Sequence, residues 1–488
     1  MNASTHCFDK IRSLIRSRIQ DPGLPSLAVG VVRDGETLWE EAFGLADREK
    51  RVPATIHTRY SLASVSKPFT TTALMKLVEA GQMDLDTPVN EYLAPGCRLN
   101  VWAGDPDAVT VRKVATHTAG LPGQCNFFSE DQLYLRPSRE ESIRRYGNIV
   151  TPPGERYRYA NFGFGILDHL VERVSGLSFA DYLRREVFLP LGMTRSSVDL
   201  SSDLRGDAAI RYDADGRPIP YYEVDHPGAS SVWTSVNDLL RFGRFHLRQP
   251  LADQKAVLSE ETILAMQKPA VTMNNVNPAD LNLRSTSQYG IGWVVDDDEL
   301  DFRISHGGGM GGAASKLLLI PKENIVIATA ANSFHPLAYT IEREILCNLI
   351  PDYCEKFALY DEKKRLAEAA AEQGGATLPV PELTGEWQGA LHTYEKKLPF
   401  RLSFLPTGEV HAKLGDQLTA LVNNVRFANN CLTGKMAGSV ETGDAARLPH
   451  HAAHHLALDF KLRGTKLNGA VMAMVGNMLS HWAEFEKV

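Results

Sequence analysis

Ser64-Val65-Ser66-Lys67 places a hydroxyl and an amine three residues apart at the start of an apolar helical stretch. Residues at that spacing share one helix face, so Lys67 reaches Ser64. A serine hydroxyl is a poor nucleophile at neutral pH until a neighbouring base takes its proton. A lysine amine does so where desolvation or nearby positive charge lowers its pKa. The chemistry expected is attack of Ser64 on a carbonyl carbon, with Lys67 handling the proton. A serine N-cap followed by a solvated lysine produces the same four letters, so the pair needs support elsewhere in the chain.

Two downstream clusters supply it. Tyr159-Ala160-Asn161 brings a phenol and an amide. A tyrosine, with its pKa near 10, acts as a base only if cationic Lys67 holds it partly ionised. Which of the two strips Ser64 is left open, because strongly coupled groups titrate as a unit. Asn161 can hydrogen-bond Lys67 and a substrate amide while capping the helix that follows. His306-Gly307-Gly308-Gly309 opens a glycine run reaching Gly312, where backbone can approach a ligand closely.

In order and rough spacing these motifs resemble the penicillin-recognising serine hydrolases, a family that includes class C β-lactamases, D-alanyl-D-alanine peptidases, D-aminopeptidases and related esterases. Supporting segments are Tyr60-Ser61-Leu62-Ala63, Val114-Ala115-Thr116-His117-Thr118-Ala119-Gly120-Leu121-Pro122, Pro190-Leu191-Gly192-Met193 and Tyr289-Gly290-Ile291-Gly292-Trp293. The resemblance covers roughly residues 8 to 350. It implies an acyl-enzyme on Ser64, an oxyanion held by the backbone N–H groups of Ser64 and Gly309, and Gly307 and Gly308 against the substrate. It also implies catalytic roles for Lys67, Tyr159, Asn161 and His306.

One position departs from the β-lactamase pattern. Those enzymes carry Lys-Thr-Gly where this chain has His306-Gly307-Gly308. A histidine is mostly neutral at pH 7, and Gly307 offers no hydroxyl for a substrate carboxylate. Efficient cleavage of β-lactams is therefore not expected. His306 is expected to raise the local positive potential or relay a proton. The activity expected is hydrolysis of an ester or small amide. The alternatives are a thioesterase-like enzyme passing the acyl group to an amine, and a D-stereospecific aminopeptidase using acids near Ser129-Glu130-Asp131. A hydrolase fold retained only for binding fits poorly with intact Ser64, Lys67, Tyr159 and His306. His117 is read as a structural histidine beneath the cleft rather than a triad member.

The elements that must position these groups follow from patterning. Residues 8 to 20 read as an amphipathic helix, Ser26 to Val32 and Thr37 to Gly44 as a hairpin turned at Asp34-Gly35, and Ser64 to Glu79 as the helix carrying the nucleophile. Helices are expected over Phe164–Ser175, Phe179–Leu189 and Ser235–Leu247, capped in the last case by Ser235 or Asn237. Successive strands follow from Trp293 to Thr329, then a helix from Tyr339 to Leu349. The fold class is α/β: an antiparallel sheet flanked by helices with a mostly helical insert over residues 1–355. A charged helix and linker span 356–382. Residues 383–488 read as a small antiparallel β-barrel, and the Gly385-Glu386-Trp387 opening resembles lipocalin-like domains appended to some members of the family.

Composition bounds the rest. The chain has 488 residues, too many for one core, with 43% hydrophobic and 23% charged residues, as in globular proteins. A net charge of −7 argues against nucleic acid as a partner. No apolar run approaches the roughly 18 residues of a membrane span. The segment Met1–Cys7 carries no apolar leader, so a cytoplasmic location is expected. Six scattered cysteines predict free thiols rather than a disulfide framework, and Cys125 reads as an ordinary loop thiol. His450, His451, His454 and His455 read as a solvated loop rather than a metal site. No cofactor or metal is expected, only a small-molecule or peptide acyl substrate. The oligomeric state is left open.

Overall fold

The protein is seen in a computed structural model that describes residues 8–201, 204–273, 287–373, 379–445 and 454–488. Among these, a nine-stranded antiparallel sheet runs in the order Val271–Thr272, Gln288–Tyr289, Val294–Asp298, Asp301–Met310, Ala313–Ile320, Ile325–Ala331, Ser26–Arg33, Glu36–Asp47, Val52–Pro53. Its centre is buried on both faces. Along Ser26–Arg33 side chains alternate between two cores, as a period of two requires. Leu27, Val29 and Val31 pack with Ile11, Ile15, Ile341 and Ile345 from the terminal helices Asp9–Arg18 and Leu337–Leu349. Ala28 and Val32 join Leu239 and Leu240 of the helix Val236–His246, whose N-cap is Ser235, accepting from Asp238 N–H. Gly30 lets that helix lie close: a Cβ there would sit 2.6 Å from Leu240 Cδ1.

The helical insert fills the region between the early hairpin and the later strands. Its main helices are Arg139–Tyr146, Asn161–Ser175 and Phe179–Leu183, the last running into a π-turn at Arg184–Phe188 where one continuous helix was expected. The nucleophile helix also differs from expectation. It begins at Ser66, and Ser64 sits in a 3₁₀ turn over Ala63–Val65 entered through Ala63 at φ +47°.

The C-terminal region is a nearly closed barrel. Nine antiparallel strands run from Ala420–Leu421 at one edge to Asn423–Ala428 at the other, and only Val422 separates those edges along the chain. Strands Asn423–Ala428, Cys431–Ala437, Lys466–Val475 and Asn477–Lys487 were not read from the sequence. The barrel docks on the preceding region through charge and backbone. Asp459 accepts from Arg156 at 3.1 Å and pairs with Arg158 at 3.0 Å. Asp444 accepts from Tyr146 Oη at 2.7 Å. The tip of the Lys466–Lys487 hairpin exchanges two backbone hydrogen bonds with Cys125 through Met478, at 2.9 and 2.8 Å.

Cys347 and Cys354 form a disulfide joining the helix Leu337–Leu349 to the helix Tyr353–Gln373, so the expectation of free thiols is corrected for this pair. The turn around Pro351 brings two helix ends together, which spacing alone did not reveal. Cys97, Cys125 and Cys431 are free. His454 and His455 belong to no metal-binding group among the described residues, and His450 and His451 lie outside them. No described helix is long and apolar enough to cross a membrane.

Candidate active site

Ser64 is half-buried on its 3₁₀ turn, one turn before Lys67. The turn is pinned from two sides. Ser315 Oγ donates to Leu62 O at 2.6 Å, and Leu62 N–H donates to Val232 O at 2.9 Å. Ser66 Oγ accepts from Val232 N–H at 3.0 Å, and Thr70 Oγ1 donates to Gly228 O at 2.6 Å. Asp168, buried in the Asn161–Ser175 helix, accepts from Gly228 N–H at 2.6 Å. The 228–232 segment is thus fastened to both helices that carry site residues.

Lys67 is fully buried. Its Nζ donates to Asn161 Oδ1 at 2.7 Å and to Ala229 O at 3.3 Å, and lies 4.6 Å from the centroid of the Tyr159 ring. Burial drives its pKa well below the usual lysine range, opposed in part by Cys125. No carboxylate among the described residues neutralises it, so desolvation favours the free amine, the form able to accept a proton. Asn161 is the first residue of its helix, without a side-chain cap on the preceding Ala160, so its amide is free for Lys67 rather than spent on the helix end.

Tyr159 is held by His117. The imidazole lies 4.5 Å from the Tyr159 ring, and its Nδ1 accepts from Ala160 N–H at 3.2 Å. His117 is buried, and its pKa is driven well below the usual range by burial and then by Lys67. It is a neutral support beneath the phenol.

His306 is buried, with its Nδ1 donating to Gly307 O at 2.8 Å and its Nε2 accepting from Tyr289 Oη at 3.1 Å. Burial and the nearby Lys67 lower its pKa to about 3. The imidazole is therefore neutral, and the expected positive potential at this position is corrected: both nitrogens are spent on holding the strand end. Among the described residues, the strand Asp301–Met310 beyond Ser305 keeps a strand partner only on the Ala313–Ile320 side, and the other backbone edge of Gly307–Gly309 pairs with no strand. Tyr339 Oη donates to Gly308 O at 2.5 Å. A Cβ on Gly308 would sit 2.0 Å from Leu62 O and 3.0 Å from Ser64 N, so only glycine lets this edge close on the serine turn.

Sequence reasoning missed Ala229, Asp168 and Tyr339, none of which stands in a recognisable motif, and it named Tyr289 only within a supporting segment, without its bond to His306. It also missed the pairing of Cys125 with His226 and Asp225, which lie about a hundred positions apart in sequence. The acids of the 129–131 loop are engaged elsewhere: Glu130 accepts from Arg205, and Asp131 from Ser129.

A family profile described as Beta-lactamase matches residues 11–347. The chain is 25% identical over 330 residues to "Protein flp" of Staphylococcus aureus (strain MRSA252), covering 66% of this chain and 62% of that protein. It is 26% identical over 430 residues to the human "Serine beta-lactamase-like protein LACTB, mitochondrial", covering 71% of this chain and 78% of that one. The match to the staphylococcal relative thus spans under two thirds of its length. Among solved structures, the octameric penicillin-binding protein homologue from Pyrococcus abyssi superposes over 98% of this chain and 99% of its own, with TM-score 0.59 and 21% identity. A class C beta-lactamase covers 70% of this chain and 96% of its own, with TM-score 0.58 and 20% identity. At such identities the structural likeness speaks for the fold, and the profile, spanning more than half the chain, speaks for descent: the chain belongs to the beta-lactamase family of serine hydrolases.

Proposed function

We propose that the protein is a serine hydrolase that forms an acyl-enzyme on Ser64 and cleaves an ester or small amide. One observation carries the reading. Lys67, one turn after Ser64, is a buried amine without a carboxylate partner among the described residues, bonded to Asn161 and set against the Tyr159 ring. Lys67 accepts the Ser64 proton as Oγ attacks the carbonyl carbon. The oxyanion forms against the N–H groups of Ser64 and Gly309. Tyr159 passes a proton to the leaving group, and water then releases the acyl chain by the reverse traffic.

The neutral His306 supports an acyl substrate without a carboxylate near the third motif, because the imidazole brings no charge of its own to repay the desolvation of an anion. That favours esters and small amides over β-lactams. The test is intact mass spectrometry after incubation with a fluorophosphonate and with activated esters, amides and a β-lactam. A single acyl adduct on the parent, absent from Ser64→Ala, with turnover on the ester, is expected. Full labelling of Ser64→Ala would move the nucleophile elsewhere.

A further inference from the structure

Beside the Lys67–Asn161 pair lies a second set of reactive groups that the proposed mechanism does not use. Cys125 Sγ lies 3.4 Å from His226 Nε2 and accepts from Asn161 Nδ2 at 3.5 Å. His226 Nδ1 donates to Asp225 Oδ1 at 2.5 Å, and both residues are buried. Asp225 Oδ1 also accepts from Asn126 N–H at 3.1 Å, while its Oδ2 has no partner among the described residues. A carboxylate buried with one oxygen unpaired is costly unless a cation stands beside it. The imidazolium of His226 is that cation, and its second N–H then points at the sulfur. Two N–H groups thus converge on one sulfur, the setting that activates a cysteine as a nucleophile. Consistently, Cys125 and Asp225 outweigh burial and raise the His226 pKa to about 9.

The barrel holds the segment that bears the cysteine through an isolated β-bridge between Cys125 and Met478. Met478 pairs with the Cys125 backbone on both sides, and Asn477 Nδ2 donates to Asn126 Oδ1 at 2.9 Å. Cys125 is half-buried, whereas the other free cysteines described, Cys97 and Cys431, are buried. Burial pushes the Cys97 thiol up to about 11.

We propose that Cys125, with His226 and Asp225, is a peroxide-reactive modification site whose oxidation switches off Ser64. The Cys125 thiolate attacks one oxygen of a peroxide. The S–O bond forms as the O–O bond breaks, sulfur is oxidised to sulfenic acid, and peroxide is reduced. The departing hydroxide takes the Nε2 proton of His226 and leaves as water, and the retained oxygen keeps the other peroxide proton. The added oxygen lies between Asn161 Nδ2 and His226. Asn161 is also the residue whose Oδ1 holds Lys67, so its displacement removes Lys67 from its position behind Ser64.

The switching half of the proposal rests on Ser64 being the nucleophile; the reactivity half does not. The full-length protein is treated with iodoacetamide at neutral pH, and each cysteine's rate is read by peptide mapping. A parallel sample receives hydrogen peroxide and is trapped with dimedone. Cys125 should alkylate about tenfold faster than Cys97 and Cys431, or more, and should be the residue that dimedone captures. His226→Asn should slow Cys125 about tenfold and leave the other two unchanged. Peroxide should abolish fluorophosphonate labelling of Ser64, and dithiothreitol should restore it. Equal rates for the three cysteines in the parent would overturn the proposal, as would an unchanged Cys125 rate in a folded His226→Asn variant. So would sulfenate at Cys125 with undiminished Ser64 labelling. Untreated protein that never labels at Ser64 would instead refute the hydrolase reading, while the Cys125 rates still stand by themselves.

Discussion

Replacing Lys67 by methionine separates what the buried amine does for chemistry from what it costs the fold. Methionine keeps the length of the chain and removes the nitrogen. As general base, Lys67 should contribute roughly 10²- to 10⁴-fold to kcat/KM, or about 2.7 to 5.5 kcal/mol of transition-state stabilisation. Stability behaves differently. The amine's pKa is lowered in the folded protein, so the unfolded chain binds the extra proton across the range between the folded value and the ordinary 10.5. Lys67 therefore penalises folding most at low pH, and the penalty fades as pH rises toward its unfolded value. Removing it relieves that penalty but leaves Asn161 Oδ1 without its donor, a loss of about 1–3 kcal/mol. The stability of Lys67→Met minus that of the parent should thus fall with pH, by up to about 1.4 kcal/mol per unit. Ester hydrolysis gives kcat/KM, and urea melts from about pH 7 to pH 10 give the stability difference. A variant within tenfold of parental activity would remove Lys67 from the mechanism. A stability difference that does not change with pH would show that the amine stays charged when buried.

Tyr159→Phe keeps the ring on His117 and should lower turnover about 10²-fold or more, measured as kcat on the same ester with unchanged unfolding. Gly308→Ala forces a Cβ to within 2.0 Å of Leu62 O; it should cost about 1–3 kcal/mol in thermal unfolding and most of the fluorophosphonate labelling rate. Asp459→Ala strands Arg156 and Arg158 at the barrel interface and should destabilise by about 3–5 kcal/mol in urea melts. The two arginines hold the Asp459 pKa below the carboxylate range despite burial. Its stabilisation is therefore complete above the unfolded value near 3.9 and is lost as pH falls through the lower folded value. The deficit of the variant should shrink in strong acid, and a constant deficit would contradict this assignment.

The hairpin at Asp34-Gly35, the helix from Asn161 and the strands between Asp301 and Ala331 were legible because each is a local matter: turn chemistry, a 3.6-residue period, or a run of buried β-branched residues. Strand Lys466–Val475 was not. Gly469 lies within it, where a Cβ would sit 2.1 Å from Asp459 O on the neighbouring strand. Cross-strand closeness of that kind leaves no periodic mark.

The residues of the site follow the same division. A serine, a lysine one turn later, a tyrosine, an asparagine and a glycine run are chemical identities, and the chain alone named them together with the family they resemble. What they are at neutral pH depends on neighbours far away in sequence. The fold buries Lys67 without a carboxylate, neutralises His306 between Gly307 and Tyr289, and sets Cys125 between Asn161 and His226. Desolvation and partner geometry are three-dimensional quantities, so protonation was decided only when distant segments packed together.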